Sequence, residues 1–499
     1  MASEERSDSY SHVLKYTSLF GGVQGLSIFI GLVRNKLVAM LLGPEGMGLA
    51  SLFQTTANFI SQSTNLGISM SAVRNVAELF DSGCEERIVR FVRVVRAWSL
   101  LTALAGMLVC MLAGPLLNAL TFSWGDHTLH FILLSPMVGM MAVAGGESAI
   151  LKGARRLRSL AVIQICNVLA ALVIAVPLYY AFGMSAIIPV MVLTAGVSLW
   201  LTTRQSYRLY PLQLRGAQGI LGEGMGMVRL GVSFTLAGIL GSGADFIIRS
   251  WLNVEAGLDT VGLYNAGYMM TMTYAGLIFS AMETDFFPRL SAVNHDVTLS
   301  NEIVNKQVEV SLLLISPMLV LAQFVLPYAV PLLLSEKFVP VVGMMHILLM
   351  ALYLRAVKLP VAYMPLAKGE ASSYLLLEAL YDVGIVGCVM AGYRHFGLTG
   401  TGMGILLVAA LDYLLIIGFA YFRYGYRPTA QVMGYMLVHY LLGLFAFLCA
   451  LFASGWQWWT GGCLLLALSL SATLFTLHRK VALWNKLKSN IKKKFGNHG

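Results

Sequence analysis

Among the charged side chains inside long apolar runs of this sequence, ten stand out: the cations Arg34, Lys36, Arg249, Arg355 and Lys358, and the acids Glu147, Asp245, Glu378, Asp382 and Asp412. A charge held at the centre of a bilayer costs about 2.5–3.5 kcal/mol on insertion scales. All ten facing lipid would cost roughly 30 kcal/mol, more than a folded domain's usual stability of about 5–15. Such groups therefore line hydrated cavities, pair with one another, or reach the interface. Arg355 and Lys358 carry the sharpest chemistry. They are three residues apart, which puts them on one face of a helix, and two like charges there require an anion. Protein carboxylates are one source: Glu378 and Asp382 lie one turn apart on the next apolar run. A transported anion is the other, since Arg and Lys meet phosphate with charge-assisted hydrogen bonds. Arg249 has a candidate partner in Asp245, one turn earlier. Arg34 and Lys36 lie towards the outer end of the first run, where long cations snorkel. Asp412 stands alone at mid-depth and suits either a pairing acid or a proton site.

The elements that carry these residues follow from composition. The chain has 499 residues, 58% hydrophobic and 12% charged, whereas an ordinary soluble domain is about 45–50% apolar and about 25% charged. Its apolar runs lie near 17–41, 47–67, 94–120, 129–151, 160–181, 184–203, 230–252, 261–282, 308–334, 340–366, 372–393, 400–422, 432–453 and 459–477. Crossing a bilayer takes ~20 helical residues, so the sequence predicts an all-α polytopic membrane protein with about 14 transmembrane helices. With the termini and even-numbered loops on one side, that side holds 27 of the 34 Lys and Arg, and the opposite loops hold only Lys337 and Arg394. The positive-inside rule then predicts both termini in the cytoplasm. Topology thus accounts for the net charge of +10, and nucleic acid is not an expected partner. The start, MASEERSDSYSHVLKY, is polar and lacks the pattern of a cleavable signal. The six cysteines are scattered, with no metal, redox or disulfide spacing. The tail stripe Trp484, Leu487, Ile491 and Phe495, set among lysines, reads as an amphipathic helix on an anionic leaflet.

Residues 43–52, GPEGMGLASL, and 257–266, GLDTVGLYNA, repeat one pattern 214 positions apart. Upstream, LVRNKL (32–37) matches IIRSWL (247–252). Downstream, Lys152-Gly153 matches Lys368-Gly369, and FGM (182–184) matches FGL (396–398). The sequence therefore predicts a duplicated six-helix unit. Six is even, so the copies insert in parallel and form two lobes about an axis along the membrane normal. The expected divisions are 1–215, 216–428, and 429–499 with two extra helices and a basic tail. The glycine stretch is the expected extracytoplasmic turn. No loop is long enough for a catalytic domain. LGEGMGMVRLG (221–231) lacks a strand–helix context and no GxxxxGK[ST] motif occurs, so no ATPase and no cofactor are expected.

The pattern RNKLVAMLLGPEGMGLASLFQ, the later VGLYNAGY, FFPRLS (286–291) and the segment SEKFVPVVGMMHILLMALYLRAVKLPVAYMPLAKGEASSYLLLEAL (335–380) together resemble the Wzx-type flippases. These belong to the multidrug/oligosaccharidyl-lipid/polysaccharide exporter (MOP) superfamily, and the resemblance extends to the O-antigen and enterobacterial-common-antigen translocases. The resemblance implies a non-enzymatic transporter of the bacterial inner membrane. It would flip an undecaprenyl-pyrophosphate-linked oligosaccharide to the periplasmic leaflet by alternating access. A polysaccharide polymerase and a chain-length regulator are the implied protein partners. The family places a cation where Arg355 stands, 13 residues before Lys368, basic residues where Lys36 and Arg249 stand, and often an acid where Glu378 stands. Lys358 and Arg34 rest on the charge argument alone. Asp412, Glu378 and Asp382, with Asp245, are the candidates for ion coupling or pairing. Two other readings remain: a multidrug exporter of the same superfamily, and a membrane glycosyltransferase or polymerase. Mid-depth cations disfavour the first, since such drugs are mostly cationic. The short loops disfavour the second.

Overall fold

Lipid offers the backbone no hydrogen-bond partner, so a chain this apolar must satisfy its peptide groups within helices. The computed structural model describes residues 2–81, 83–212 and 220–495, and among them every regular element is helical. Nine segments of the described residues are long and apolar enough to cross a membrane. Leu157–Leu209 is 53 residues long and Ala371–Tyr424 is 54. A straight helix of that length would run ~80 Å, more than twice the ~30 Å hydrocarbon core. The chain breaks instead at glycines. Gly183 (φ 56°, ψ −135°) interrupts the first of these segments and Gly397 (φ 61°, ψ −145°) the second. Gly43 (φ 66°, ψ −171°), followed by Pro44, interrupts Ala2–Thr64. Such backbone conformations are open essentially to glycine alone.

The turn conformations recur along the chain. The positive φ of Gly43, Arg155 and Gly183 returns at Gly257, Gly369 and Gly397, each 214 positions later. Hydrogen bonding matches as well. Arg155 N donates to Lys152 O and Arg156 N to Leu151 O, while Gly369 N donates to Leu366 O and Glu370 N to Pro365 O. In three dimensions Arg155 therefore corresponds to Gly369, two residues off the Lys-Gly alignment drawn from the letters. The helix C-terminus governs the correspondence, and the lysine precedes it by a different number of residues in each copy.

The Glu85–Leu112 helix illustrates how these elements pack. Its buried face carries Val95, Ser99, Thr102, Ala103, Gly106 and Cys110, while Leu100, Leu104, Leu108 and Leu112 are exposed. Small residues inward and leucines outward is the pattern of a membrane helix, where close backbone approach and lipid contact replace a water-driven core.

The chain divides into two compact units. The first comprises Met1–Ala266, Val330–Val339 and Glu378–Val386. Ile68, Val95, Trp98, Ile150, Tyr210 and Val228 form a buried cluster in it. The two repeated glycine turns meet within this unit. A Cβ on Gly48 would lie 2.1 Å from Leu258 O, and one on Gly262 would lie 1.8 Å from Pro44 O. Each sixth-position glycine thus abuts the second residue of the other turn. The second unit comprises Gly267–Ala329, Pro340–Leu377 and Gly387–Gly499. Here Val320, Phe324 and Ala446 form a core against Trp458, Leu465 and Leu466. The backbone of Gly455–Phe495 is helical, but the side chains of Trp484, Leu487, Ile491 and Phe495 lie outside the described residues.

Candidate functional site

Arg355 and Lys358 sit on the Val342–Ala362 helix in the second unit, in a stretch whose other side chains are largely buried. Lys358 Nζ pairs with the Asp412 carboxylate, with the side chains only 14% and 4% exposed. Asp412 is therefore not alone, as its isolation in the sequence suggested. A carboxylate taken out of water requires a countercharge, and Lys358 supplies it. Arg355, one turn earlier, is half-buried, and its guanidinium carbon lies 6.0 Å above the Phe279 ring. Among the described residues no carboxylate lies within ion-pair distance of Arg355. Among the described residues the pair of like charges thus divides into one neutralised cation and one that faces an aromatic ring.

Above this helix lies an apolar cavity of about 630 Å³, lined in part by Tyr353, Leu354, Val357, Tyr413, Met433 and Tyr440. Val357 and Tyr413 are the immediate chain neighbours of Lys358 and Asp412. Two buried polar joints brace the surrounding helices. His346 Nδ1 lies 2.5 Å from Gln323 Oε1, and Gln323 Nε2 donates to His346 O at 3.1 Å. His439 Nδ1 lies 2.9 Å from Ser316 Oγ, and the Tyr353 hydroxyl donates to Ser316 O at 3.3 Å. Through His439 the Ala430–Phe452 helix is tied to the helix carrying Ser316. Lys368 serves a local role: its ammonium donates to Asn294 O at 2.6 Å, and Asn294 Nδ2 donates to Ala367 O at 2.8 Å.

The other sequence candidates lie in the first unit. Arg249 is 6% exposed and pairs with Asp245 Oδ1 at 2.8 Å, as the one-turn spacing predicts. Its guanidinium also lies 5.7 Å above the Tyr264 ring and bonds Asn265 Oδ1 at 3.4 Å. Lys36 donates to Leu332 O at 2.5 Å and Pro331 O at 3.4 Å. These are end carbonyls of the Val297–Leu333 helix, where a cation also meets the negative end of the helix dipole. Arg34 Nη2 donates to Asn35 Oδ1 at 3.1 Å. Asp382 is buried beside Gly241, its carboxylate oxygens 3.9 Å from where a Cβ of that glycine would stand. Glu378 is half-buried one turn before it.

One further buried charge pair escaped the sequence reading. Arg96 Nε donates to Glu147 Oε1 at 2.8 Å and Nη2 to Glu147 Oε2 at 3.3 Å, with Glu147 2% exposed. Nη2 also donates to Tyr210 O at 2.9 Å, and the guanidinium lies 4.4 Å over Tyr207. The signal was present in the letters: Glu147 needs a counterion, and Arg96 stands at the head of an apolar run. Only the packing of these helices brings them together.

Comparison with known proteins agrees with this architecture. A family model described as "Polysaccharide biosynthesis protein" matches residues 37–343, more than half of the chain. The Lipid III flippase of Escherichia coli (strain K12) is 23% identical over 370 residues, covering 71% of this chain and 85% of that protein. The Lipid III flippase of Shigella flexneri gives the same figures. Among solved structures, the lipid II flippase MurJ in an inward closed conformation superposes with a TM-score of 0.69 at 14% identity, covering 93% of this chain and 99% of that one. An inward-facing multidrug resistance MATE family transporter of the MOP superfamily gives 0.66 at 17% identity, covering 80% and 94%. The chain has the fold of the MOP transporters, and it belongs to the polysaccharide biosynthesis protein family.

Proposed function

We propose that this protein is a flippase for a lipid-linked oligosaccharide, and that Arg355 receives the phosphate-bearing headgroup of its substrate. The carrying observation is the state of that side chain. Arg355 is half-buried in a membrane-spanning helix with no carboxylate in reach among the described residues, while Lys358 beside it is paired. Leaving a cation there costs free energy that an incoming anion returns. A pyrophosphate-linked lipid carries about two negative charges in the form that a guanidinium fork binds best. Lys358, Arg249, Lys36 and Arg34 are secondary candidates, each already engaged by a protein group. Membership in the polysaccharide biosynthesis protein family and the likeness to lipid III flippases support a glycan as the cargo. An undecaprenyl-pyrophosphate-linked repeat unit, such as that of an O-antigen, is the substrate that fits this reading, moved from the cytoplasmic to the periplasmic leaflet of an inner membrane. The apolar cavity of about 630 Å³ beside the Val342–Ala362 helix offers room for part of a prenyl chain.

The architecture proposed for this activity is 14 spans, with two parallel six-helix repeats and two added helices. Turn conformations recurring at one 214-residue offset support it. Asp412 is the proposed site of any proton coupling, with Glu378 and Asp382 behind it. When an anionic headgroup competes for Lys358, the carboxylate loses its counterion, which links headgroup binding to that acid. The test is transport of lipid-linked sugar in reconstituted vesicles. The Arg355→Ala protein should insert and fold but fail to flip.

A further inference from the structure

On the arginine-rich face of the first unit, a cavity of about 230 Å³ is lined by Leu151, Arg156, Ser159, Gln205, Arg208 and Leu209. Other arginines of this unit are held in ion pairs. Arg96 binds Glu147, Arg90 binds Glu223, and Arg74 binds Glu78. Arg156 and Arg208 have no ion-pair partner among the described residues. Arg156 also forms the N-cap of the Leu157–Phe182 helix, whose first turn has neither a capping side chain nor an acidic residue. Arg156 N and Leu157 N donate to Leu151 O and Arg155 O, and the rest of the helix start adds partial positive charge to the two guanidinium groups. The positive-inside rule explains why arginines occupy this face. It does not explain why two of them line one polar hollow that has no carboxylate in its lining.

The surroundings identify the occupant. Trp200, Arg204 and Arg208 follow at four-residue spacing on one helical stripe. Trp200 is 56% exposed and lies 5.1 Å beneath the Arg204 guanidinium. An outward tryptophan capped by a cation marks the level where lipid headgroups meet hydrocarbon. We infer that this cavity binds the phosphate of an anionic glycerophospholipid of the adjacent leaflet, held by Arg156 and Arg208 with Ser159 and Gln205 as polar partners.

Native mass spectrometry of the purified protein, after exchange into a mixture of phosphatidylglycerol and phosphatidylethanolamine, tests this. The wild type should retain phosphatidylglycerol preferentially. Arg156→Gln/Arg208→Gln should lower that preference roughly thirtyfold, as expected for losing two basic contacts to an anionic lipid. The single variant Arg208→Gln should lower it partway, and Arg74→Gln, whose partner is Glu78 on an exposed helix face, should not change it. Unchanged retention of phosphatidylglycerol by the double variant would overturn the inference. Displacement of the retained lipid by millimolar inorganic phosphate would equally overturn it, by assigning the cavity to a soluble anion.

Discussion

Arg355 and Lys358 show how two neighbouring cations acquire different roles from their surroundings. Lys358 is neutralised by Asp412, and Arg355 lies over the Phe279 ring with no carboxylate in reach among the described residues. Removing one member of a buried pair strands the other charge and costs about 3–5 kcal/mol, whereas replacing both by apolar groups is often neutral. Asp412→Asn and Lys358→Met should therefore each lower the thermal unfolding temperature, and Lys358→Met/Asp412→Leu should restore most of it. Additive losses in that cycle would show that the two groups do not act as a pair. The same logic applies to Arg96 and Glu147, where Glu147→Gln should destabilise while Arg74→Gln, at an exposed pair, changes stability by less than about 1 kcal/mol. The sequence disclosed which charges needed partners, because the cost of a lone charge in lipid is independent of fold. It disclosed a partner only where helical spacing fixed one, as for Arg249 and Asp245. Asp412 and Lys358 are 54 positions apart, and Arg96 and Glu147 are 51 apart. Only the packing of separate helices selects such pairs.

At the scale of the element, glycine carries most of the information. The paired stretches at 43–52 and 257–266 were legible as turns because both begin with glycine. Their first glycines adopt φ of 66° and 84°, values that a side chain resists. What the letters did not reveal is that the two turns touch, with Gly48 against Leu258 and Gly262 against Pro44. That contact depends on backbone approach, which leaves no periodic trace in sequence. Gly262→Ala should push a Cβ into a carbonyl that cannot yield, destabilising the protein by about 1–3 kcal/mol. Gly387→Ala is the control: nothing lies within 4 Å of its Cβ position, and helix propensity favours alanine by about 1 kcal/mol. Differential scanning fluorimetry of the two variants distinguishes the cases. Equal melting temperatures for Gly262→Ala and the parent would mean that the turns do not pack tightly in the membrane.

For the whole molecule, hydropathy and charge determine a multi-pass helical membrane protein, and the family match adds a polysaccharide setting. The distribution of Lys and Arg predicts the orientation, and the prediction can be checked at Cys84, which is free and exposed just before the Glu85–Leu112 helix that carries Arg87 and Arg90. In a variant retaining only that cysteine, a membrane-impermeant maleimide should label it in inverted inner-membrane vesicles but not in intact spheroplasts. The opposite pattern would reverse the assigned sides. Whether the fold moves a lipid-linked glycan turns on Arg355. The decisive measurement is the appearance of lipid-linked oligosaccharide in the far leaflet of vesicles reconstituted with equal amounts of folded parent, Arg355→Lys and Arg355→Ala protein. The account predicts full transport by the parent, partial transport by Arg355→Lys, which keeps the charge but loses the planar fork, and none by Arg355→Ala. Transport by well-folded Arg355→Ala at the parent's rate would contradict it.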